Sequence, residues 1–360
     1  MRNNPLLNLA LALFILLATG WLLYIGRPII LPLVTALITV YVMISASNAL
    51  HRQPLFRRLP QPVLRFFLVT VFAGVIMSLA VISATTIREI ASLAPVYEAN
   101  IDGMLETVAV RFGLDRQAMW DELRQVTIEA FNLRTLFLGL LGGFTDIGGT
   151  LFLIVLYTAF LISERGGFET KVAAAFKAEG QAQKVLDVTR TINSRVRDYL
   201  AIKTLINVIL ATISFVVLWL HGTDFALFWA LLIGLLNYIP YIGSYVGVFF
   251  PVVLSVAQFA SLPMTLSLTL FLTLAQVMVG SYLEPKLVGR QVNLSPIVVL
   301  VALSVWTALW GVPGAILAVP MTSVLAIILA NFEETKPFAI LLADTVTGAE
   351  ESGGREGTRP

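Results

Sequence analysis

Cysteine is absent from this 360-residue chain, and histidine occurs only twice. Without cysteine the protein has no thiol nucleophile, no thiolate metal ligand and no disulfide. The chain also contains no Walker A loop, no H-E-x-x-H motif and no G-x-S-x-G motif, and His51 and His221 fall in predicted loops. We therefore expect no enzyme activity, no metal site, no cofactor and no direct use of ATP.

Charged side chains are scarce as well. They make up 13% of the residues, against about 25% in a typical soluble domain, while 58% of the residues are hydrophobic. The apolar residues are gathered into long blocks, and a membrane-spanning helix needs roughly 20 of them in succession. We predict an all-α polytopic integral membrane protein with about eight transmembrane segments.

Three apolar blocks open the chain, at 6–25, 29–50 and 66–87, and together they form an N-terminal part at 1–87. The first block is too long for a signal-peptide core and is followed at once by the second, so we interpret it as an uncleaved span. The loop after the second block carries four arginines and no acid. Basic loops stay on the cytoplasmic side of a membrane, which predicts a cytoplasmic N-terminus.

Two charged stretches with apolar residues at helical spacing separate the later spans. The first, at 88–135, is acidic and predicts an extracytoplasmic amphipathic helical module, which either caps the membrane bundle or acts as a lid or partner-binding module. A fourth span follows at 136–163. The second stretch, at 164–203, is basic and predicts a cytosolic helical segment whose cations, Lys203 among them, meet lipid headgroups or the cytosol.

The C-terminal transport core at 204–332 is nearly all apolar, but proline and glycine interrupt it. Two stretches, 225–260 and 296–331, carry a Pro/Gly break near the middle and flank one full span at 264–283. Broken helices survive in hydrocarbon only where protein or a water-filled cavity surrounds them, and paired broken segments point to a transporter binding site. The alternative is a pair of ordinary helical hairpins with tight turns at the membrane surface.

Several short motifs of this core occur in a characteristic order. They are N-Y-I-P-Y-I-G at 237–243, E-P-K-L-V-G at 284–289, L-S-P at 294–296, L-W-G-V-P-G at 309–314 and L-A-V-P at 317–320. This set resembles the autoinducer-2 exporter family, also called the PerM-type permeases. The resemblance implies a permease of the bacterial inner (plasma) membrane with both termini cytoplasmic. It also implies a homo-oligomer, for example a pentamer.

Three polar residues of the core are candidates for binding or coupling. Glu284 lies at the edge of the membrane, where ionisable groups are costly and usually functional; alternatively, it is solvated or paired with Lys286 or Arg290. Asn237 and Gln276 carry hydrogen-bond donors and acceptors that can bind a polyol-like solute or a cation. The alternative for both amides is an interhelical hydrogen bond.

The full set of candidates for the transport pathway or for coupling adds the prolines and glycines of the motifs. Because proline disfavours a helical conformation in the residue before it, Pro285 also predicts that a helix ends at Glu284. The candidates are Asn237, Pro240, Gly243, Gln276, Glu284, Pro285, Lys286, Gly289, Pro296, Gly311, Pro313, Gly314 and Pro320.

The leading hypothesis is a secondary permease that moves a small polar solute, similar to autoinducer-2, or a cation by alternating access, driven by a gradient. Two alternatives stay open. One is a Na+(Li+)/H+ antiporter, which the resemblance also suggests, and the other is a channel-like or scaffold subunit of a membrane assembly. The expected partners are the transported solute or monovalent cation, the lipid bilayer and further copies of the chain. No nucleic-acid partner is expected.

The tail at 333–360 is acidic and rich in glycine, and we expect it to be cytosolic and disordered after about residue 348. A chain that ends at Thr347 should therefore insert and fold like the full-length protein. Yield in the membrane fraction and the size-exclusion profile in detergent measure this. A chain that ends at Leu303, inside the last apolar stretch, is the control that should fail. Loss of the Thr347 variant from the membrane would contradict the prediction.

Overall fold

The computed structural model describes residues 5–51, 53, 60–113, 147–164, 167–175, 181–288, 293–333 and 335–345. All regular secondary structure in these ranges is helical. In chain order the elements are α1 (Pro5–Ile25), α2 (Arg27–His51), α3 (Gln61–Phe112), α4 (Ile147–Glu164), α5 (Phe168–Ala175), α6 (Gln181–Leu220), α7 (Ala226–Leu236), α8 (Ile242–Phe259), α9 (Leu262–Val277), a π-helical segment (Met278–Leu283), α10 (Glu284–Val288), α11 (Pro296–Trp310), α12 (Val312–Ala330) and α13 (Lys336–Leu342).

Six helical segments of the described ranges are long and apolar enough to cross a membrane. They are Arg27–Asn48, Phe66–Ile90, Val185–Leu220, Ile242–Phe259, Leu262–Leu287 and Val312–Ala330. Four shorter apolar helical segments accompany them, at Leu13–Ile25, Phe152–Glu164, Ala226–Leu236 and Pro296–Trp310. Large apolar side chains such as those of Phe66 and Leu266 are exposed, as contact with lipid requires. The predicted class, an all-α polytopic membrane protein, is confirmed.

The helix of the third apolar block does not end where charged residues begin. α3 runs for 52 residues, so the first half of the predicted extracytoplasmic module continues the helix of the third span. Gly113 follows with a φ of 65°, in the left-handed conformation in which glycine commonly ends a helix. The rest of the module, at 114–135, and the start of the predicted fourth span lie outside the described residues. The end of the predicted cytosolic segment at 164–203 and the start of the C-terminal core likewise belong to one helix, α6.

The chain divides into two compact units, and the first consists of Met1–Val69, Gly148–Ala201 and Arg290–Pro360. In this unit α11 packs against α1, α2 and α12. Leu31, Trp310 and Leu317 form a buried apolar cluster between these helices. The Trp310 indole nitrogen donates a hydrogen bond to the Leu23 carbonyl oxygen at 3.0 Å. The turn between α11 and α12 is therefore fastened to the end of α1.

The second unit consists of Thr70–Ile147 and Ile202–Gly289. Its helices α7, α8 and α9 follow one another with short connections, and α8 packs against both of the others. Gly234 lets α7 approach α6 closely, because a Cβ at this position would lie 2.9 Å from the Cβ of Ala211. Small residues allow such close contacts between membrane helices, so this unit is tightly packed around α7.

Both predicted breaks are present, and a glycine makes each of them possible. After α7 the chain turns back, and a Cβ on Gly243 would overlap the carbonyl oxygen of Leu236. After α11 it turns at Gly311, and a Cβ on Gly314 would overlap the carbonyl oxygen of Trp306. In each hairpin, therefore, the second helix begins directly against the backbone of the first.

Glu284 is helical, so the expectation that a helix ends there is wrong. Its backbone angles are φ −62° and ψ −51°, and the chain passes from α9 through the π-helical segment into α10 without a gap. Proline lacks an N–H, and its ring crowds the preceding turn. A π-helical turn, with its i→i+5 hydrogen bonds, is wider than an α-helical turn. The widened segment before Pro285 therefore accommodates the ring.

Replacement of either close-packed glycine by alanine should destabilise the protein. The methyl group of Gly243→Ala or Gly314→Ala would push two helix backbones apart, and overpacking typically costs about 1–3 kcal/mol. Thermal unfolding in detergent measures the effect. Gly74→Ala is the matched control, because a Cβ there meets nothing within 4 Å, and its melting temperature should equal or exceed that of wild type. Equal melting temperatures for all three variants would refute this account of the hairpins.

Candidate functional site

Two polar residues lie on the same side of α6 in the second unit. Lys203 and Asn207 are four residues apart, which places them on one face of the helix. Both residues are buried, and the side chain of Lys203 is only 4% exposed. Charged groups within membrane segments are rare, because a charge without a partner is costly there. These side chains therefore need partners from neighbouring helices.

Glu284 is the partner of Lys203. The Lys203 ammonium group donates a hydrogen bond to Glu284 Oε1, and the Glu284 side chain is 30% exposed. Of the two cations considered for this acid from the sequence, Lys286 instead lies with its Nζ 5.5 Å from the centre of the Tyr282 ring, and Arg290 lies outside the described residues. The acid is thus held by a lysine 81 residues away in the chain.

Asn207, one turn further along α6, binds the first hairpin at its break. Asn237, which follows α7, donates from Nδ2 to Asn207 Oδ1 at 2.8 Å. Ser244 Oγ donates to Asn237 Oδ1 at 3.2 Å, and the hydroxyl groups of Thr204 and Tyr238 lie 2.7 Å apart. The break between α7 and α8 is therefore hydrogen-bonded to α6 close to the buried lysine.

We call five residues the polar cluster: the Lys203–Glu284 pair and, one turn further along α6, the hydrogen-bonded group Asn207, Asn237 and Ser244. Asn207 also interacts with the Tyr238 hydroxyl group, which lies 2.7 Å from the Thr204 hydroxyl group. The amide of Asn207 is therefore held by two residues of the first break.

Gln276 of α9 is unpaired on both polar atoms of its side chain. It is 9% exposed, and neither its amide nitrogen nor its amide oxygen has a hydrogen-bond partner. The residue lies two positions before the π-helical segment, and such widened turns are frequent at functional sites. The interhelical hydrogen bond that was the structural alternative for Gln276 is not formed. Its donor and its acceptor are both available to a ligand.

A second hydrogen-bonded group lies beyond the other end of α6. Tyr97 Oη donates to Asp224 Oδ2 at 2.9 Å, and Asn100 Nδ2 donates to two carbonyl oxygens at the end of α8, both at 3.1 Å. Gln258 Oε1 accepts a hydrogen bond from the backbone N–H of Asp224 at 2.9 Å. Burial and the neighbouring Asp224 raise the pKa of Tyr97, so its hydroxyl stays protonated at neutral pH. We call Tyr97, Asn100, Asp224 and Gln258 the distal network.

Five of the candidates from the sequence belong to the first unit, in the hairpin of α11 and α12: Pro296, Gly311, Pro313, Gly314 and Pro320. They shape this hairpin. Pro313 lies in the first turn of α12, where the missing N–H costs no hydrogen bond, and Pro320 is buried. Near the turn, Trp306 Nε1 donates to Thr322 Oγ1 at 3.1 Å.

The other candidates belong to the second unit. Asn237, Pro240 and Gly243 all lie at the first break, and Asn237 connects the break to the polar cluster. Pro285 and Lys286 are exposed, and Gly289 is outside the described residues. Among the described residues, no group of three or more His, Cys, Asp and Glu side chains is placed to hold a metal ion.

Sequence reasoning did not select the α6 side of the cluster. The sequence predicts a headgroup or cytosolic contact for Lys203, and Asn207 and Ser244 are not among the site candidates that it gives. The sequence contains one signal for this side: Asn207 follows Lys203 by four residues, so both lie on one face of a largely apolar helix. The neighbouring residues Ile206 and Leu210 are fully buried. Polar residues on the buried side of an apolar helix need partners inside the protein.

The whole chain was compared with known proteins. The family model described as AI-2E family transporter matches residues 11–334. The AI-2 transport protein TqsA of Escherichia coli strain K12 is 28% identical over 323 residues, which cover 88% of this chain and 90% of TqsA. A relative from Haemophilus influenzae is 25% identical, over 96% of this chain and 99% of its own. A relative from Borreliella burgdorferi is 32% identical, over 69% and 67%. The chain therefore belongs to the AI-2E family of membrane transporters.

Proposed function

We propose that this protein is a secondary transporter of a small, hydroxyl-rich solute, similar to autoinducer-2, and that the solute binds between the polar cluster and Gln276. The observation that carries the proposal is the buried amide of Gln276, unpaired on both polar atoms. Neutral amide and hydroxyl groups in an apolar surrounding are suitable partners for a hydroxyl-rich ligand. The name of the relative TqsA, an AI-2 transport protein, supports the same class of solute.

The geometry of the first hairpin supports a pathway at this position. α7 has 11 residues and is therefore about 17 Å long, which is much shorter than the roughly 30 Å of a bilayer core. Its break is bonded to Thr204 and Asn207 of α6. The break is thus in contact with polar groups of the protein, and broken helices are tolerated where they line a cavity.

Alternating access needs a closure at each end of the pathway, and the second unit offers one at each end of the membrane part of α6. About 26 Å of helix separates Lys203 from Leu220, and the distal network lies just beyond Leu220. The proposed closures are the Lys203–Glu284 pair, on the cytoplasmic side, and the distal network, on the outer side. Because the chain has no nucleotide motif, a gradient drives the cycle.

The proposed setting is the bacterial inner membrane, with both termini in the cytoplasm and several copies of the chain in one assembly. The arginine-rich loop after α2 supports this orientation. A channel-like or scaffold role gives no reason for the unpaired, buried amide of Gln276. This amide therefore favours a solute transporter over that alternative. An exchange of sodium or lithium for protons requires carboxylates that are free to bind cations, and Glu284 is already bonded to Lys203.

Gln276→Leu should impair transport without destabilising the protein. Because no group of the protein pairs with this amide, its loss leaves no partner unsatisfied, while the solute loses its hydrogen bonds. We expect kcat/KM for autoinducer-2 in proteoliposomes under an imposed proton gradient to fall about tenfold, which is equivalent to about 1.4 kcal/mol. The melting temperature should be unchanged or higher.

Thr265→Val is the matched control for this variant. Thr265 is also buried on α9, and its hydroxyl has no partner, but it lies about 17 Å away along the helix. Its removal should preserve transport. Unchanged kcat/KM in Gln276→Leu would exclude this amide from the pathway. Absence of flux by wild type across autoinducer-2 and a panel of neutral polyols would refute the proposed solute class.

Tyr97→Phe should open the outer closure. The variant loses the hydrogen bond to Asp224, and bonds to charged groups contribute about 1.5–3 kcal/mol. The chain has no native cysteine, so a single Thr223→Cys, at a residue that is 5% exposed, reports opening through its reaction with a membrane-impermeant maleimide. We expect labelling at least about tenfold faster in the Tyr97→Phe background.

Tyr245→Phe is the control for this variant. Tyr245 is 80% exposed, and its replacement should leave the labelling rate of Thr223→Cys unchanged. Equal rates in both backgrounds would contradict a closure at Tyr97.

A further inference from the structure

We propose that Lys203 is a built-in cation: its ammonium group occupies the position at Glu284 that a free sodium or lithium ion would occupy in a cation-coupled carrier. The inference concerns how the proposed transport is coupled, and it rests on that function. It predicts that the protein works without sodium or lithium. It also predicts that a monovalent-cation site appears at Glu284 when Lys203 is removed.

The first support is the geometry of the pair. The Lys203 ammonium group is hydrogen-bonded to Glu284 Oε1, and 4% of the lysine side chain is exposed against 30% of the glutamate side chain. The lysine is thus the more buried partner and the glutamate the more exposed one. A buried ammonium group that lost this carboxylate would be left uncompensated in an apolar surrounding, which is strongly unfavourable. While the pair is closed, a cation from solution therefore competes poorly with Lys203 for Glu284.

The second support is the scarcity of other carboxylates in this part of the chain. Within residues 202–288 the acidic residues are Asp224 and Glu284. Asp224 belongs to the distal network and accepts a hydrogen bond from Tyr97. Hard cations prefer oxygen ligands, carboxylates above all, so Glu284 is the carboxylate at the polar cluster to which a sodium ion would bind.

The third support is electrostatic. An ammonium group and a sodium ion carry the same charge, and two like charges a few ångströms apart repel each other, most strongly away from water. One carboxylate cannot compensate both charges. Lys286 is exposed and lies over the Tyr282 ring, so it does not take the place of Lys203 at Glu284. Occupation of Glu284 by Lys203 and by a free cation are therefore mutually exclusive.

Thermal unfolding of the purified full-length protein in detergent tests the inference without any transport assay. Melting temperatures are compared in sodium, lithium and choline chloride at equal concentration and pH. Wild type should melt at the same temperature in all three salts. Lys203→Gln should melt lower in choline and should be restored by sodium or lithium in a saturable way, by roughly 2–4 °C. Lys286→Gln removes the same charge from an exposed position and should behave like wild type.

Two outcomes overturn the inference. One is a sodium-specific or lithium-specific stabilisation of wild type, which needs no variant to be observed. The other is a folded Lys203→Gln protein whose melting temperature is the same in all three salts. Should the single variant fail to fold, the double variant Lys203→Gln/Glu284→Gln removes both charges together. It should fold and ignore the cation, whereas a sodium-specific shift in it would place the cation elsewhere and refute the site at Glu284.

Failure of this inference and failure of the proposed function give different results. A wild-type protein that is stabilised by sodium but transports autoinducer-2 would refute the built-in cation and leave the solute proposal intact. A wild-type protein that is indifferent to sodium and transports none of the solutes would refute the solute proposal alone.

Discussion

The buried ammonium group of Lys203 is a strong constraint on the second unit, because hydrocarbon offers it no compensation for its charge. Only a partner within the protein can hold it there, and loss of one partner of a buried pair typically costs about 3–5 kcal/mol. Glu284 must therefore lie against α6. Since α9, the π-helical segment and α10 are continuous, this pair also fixes where α9 ends and where the first hairpin can be bonded to α6.

The π-helical segment makes this position of Glu284 compatible with the sequence that surrounds it. Pro285 cannot donate a hydrogen bond to the preceding turn, and its ring needs space there. A residue added to one helical turn also rotates every later side chain by about 100° around the axis, so the segment sets the direction in which Glu284 points. One local distortion thus accommodates the proline and directs the carboxylate. Gln276 lies two residues before this segment, in the last turn of α9.

Local signals in the sequence predicted the helices and the breaks, whereas the partners of the polar groups could not be predicted. Proline and glycine interrupt a helix through their own backbone geometry, so the turns before Gly243 and at Gly311 were recognisable from the residues alone. Charged residues determine whether a helix segment lies in lipid or in water, but they do not end the helix. For this reason α3 continues far beyond Arg88. Lys203 and Glu284 are 81 residues apart in the chain. They can pair only because the helices that carry them pack against each other. No periodicity in the sequence records that contact.

The two hairpins use the same glycine contact, but they are held in place by interactions of different strength. At the first break, the contacts to α6 are hydrogen bonds, between Asn237 and Asn207 and between Tyr238 and Thr204, each with a net contribution of about 0.5–1.5 kcal/mol. At the second turn, the fully buried Trp310 is packed among Leu31 and Leu317, and removal of such a side chain costs about 3–5 kcal/mol. A single hydrogen bond of the first kind breaks at a small cost in free energy, whereas the burial of the Trp310 indole is costly to undo. The polar contacts at the first break are therefore easier to exchange than the apolar packing at the second turn.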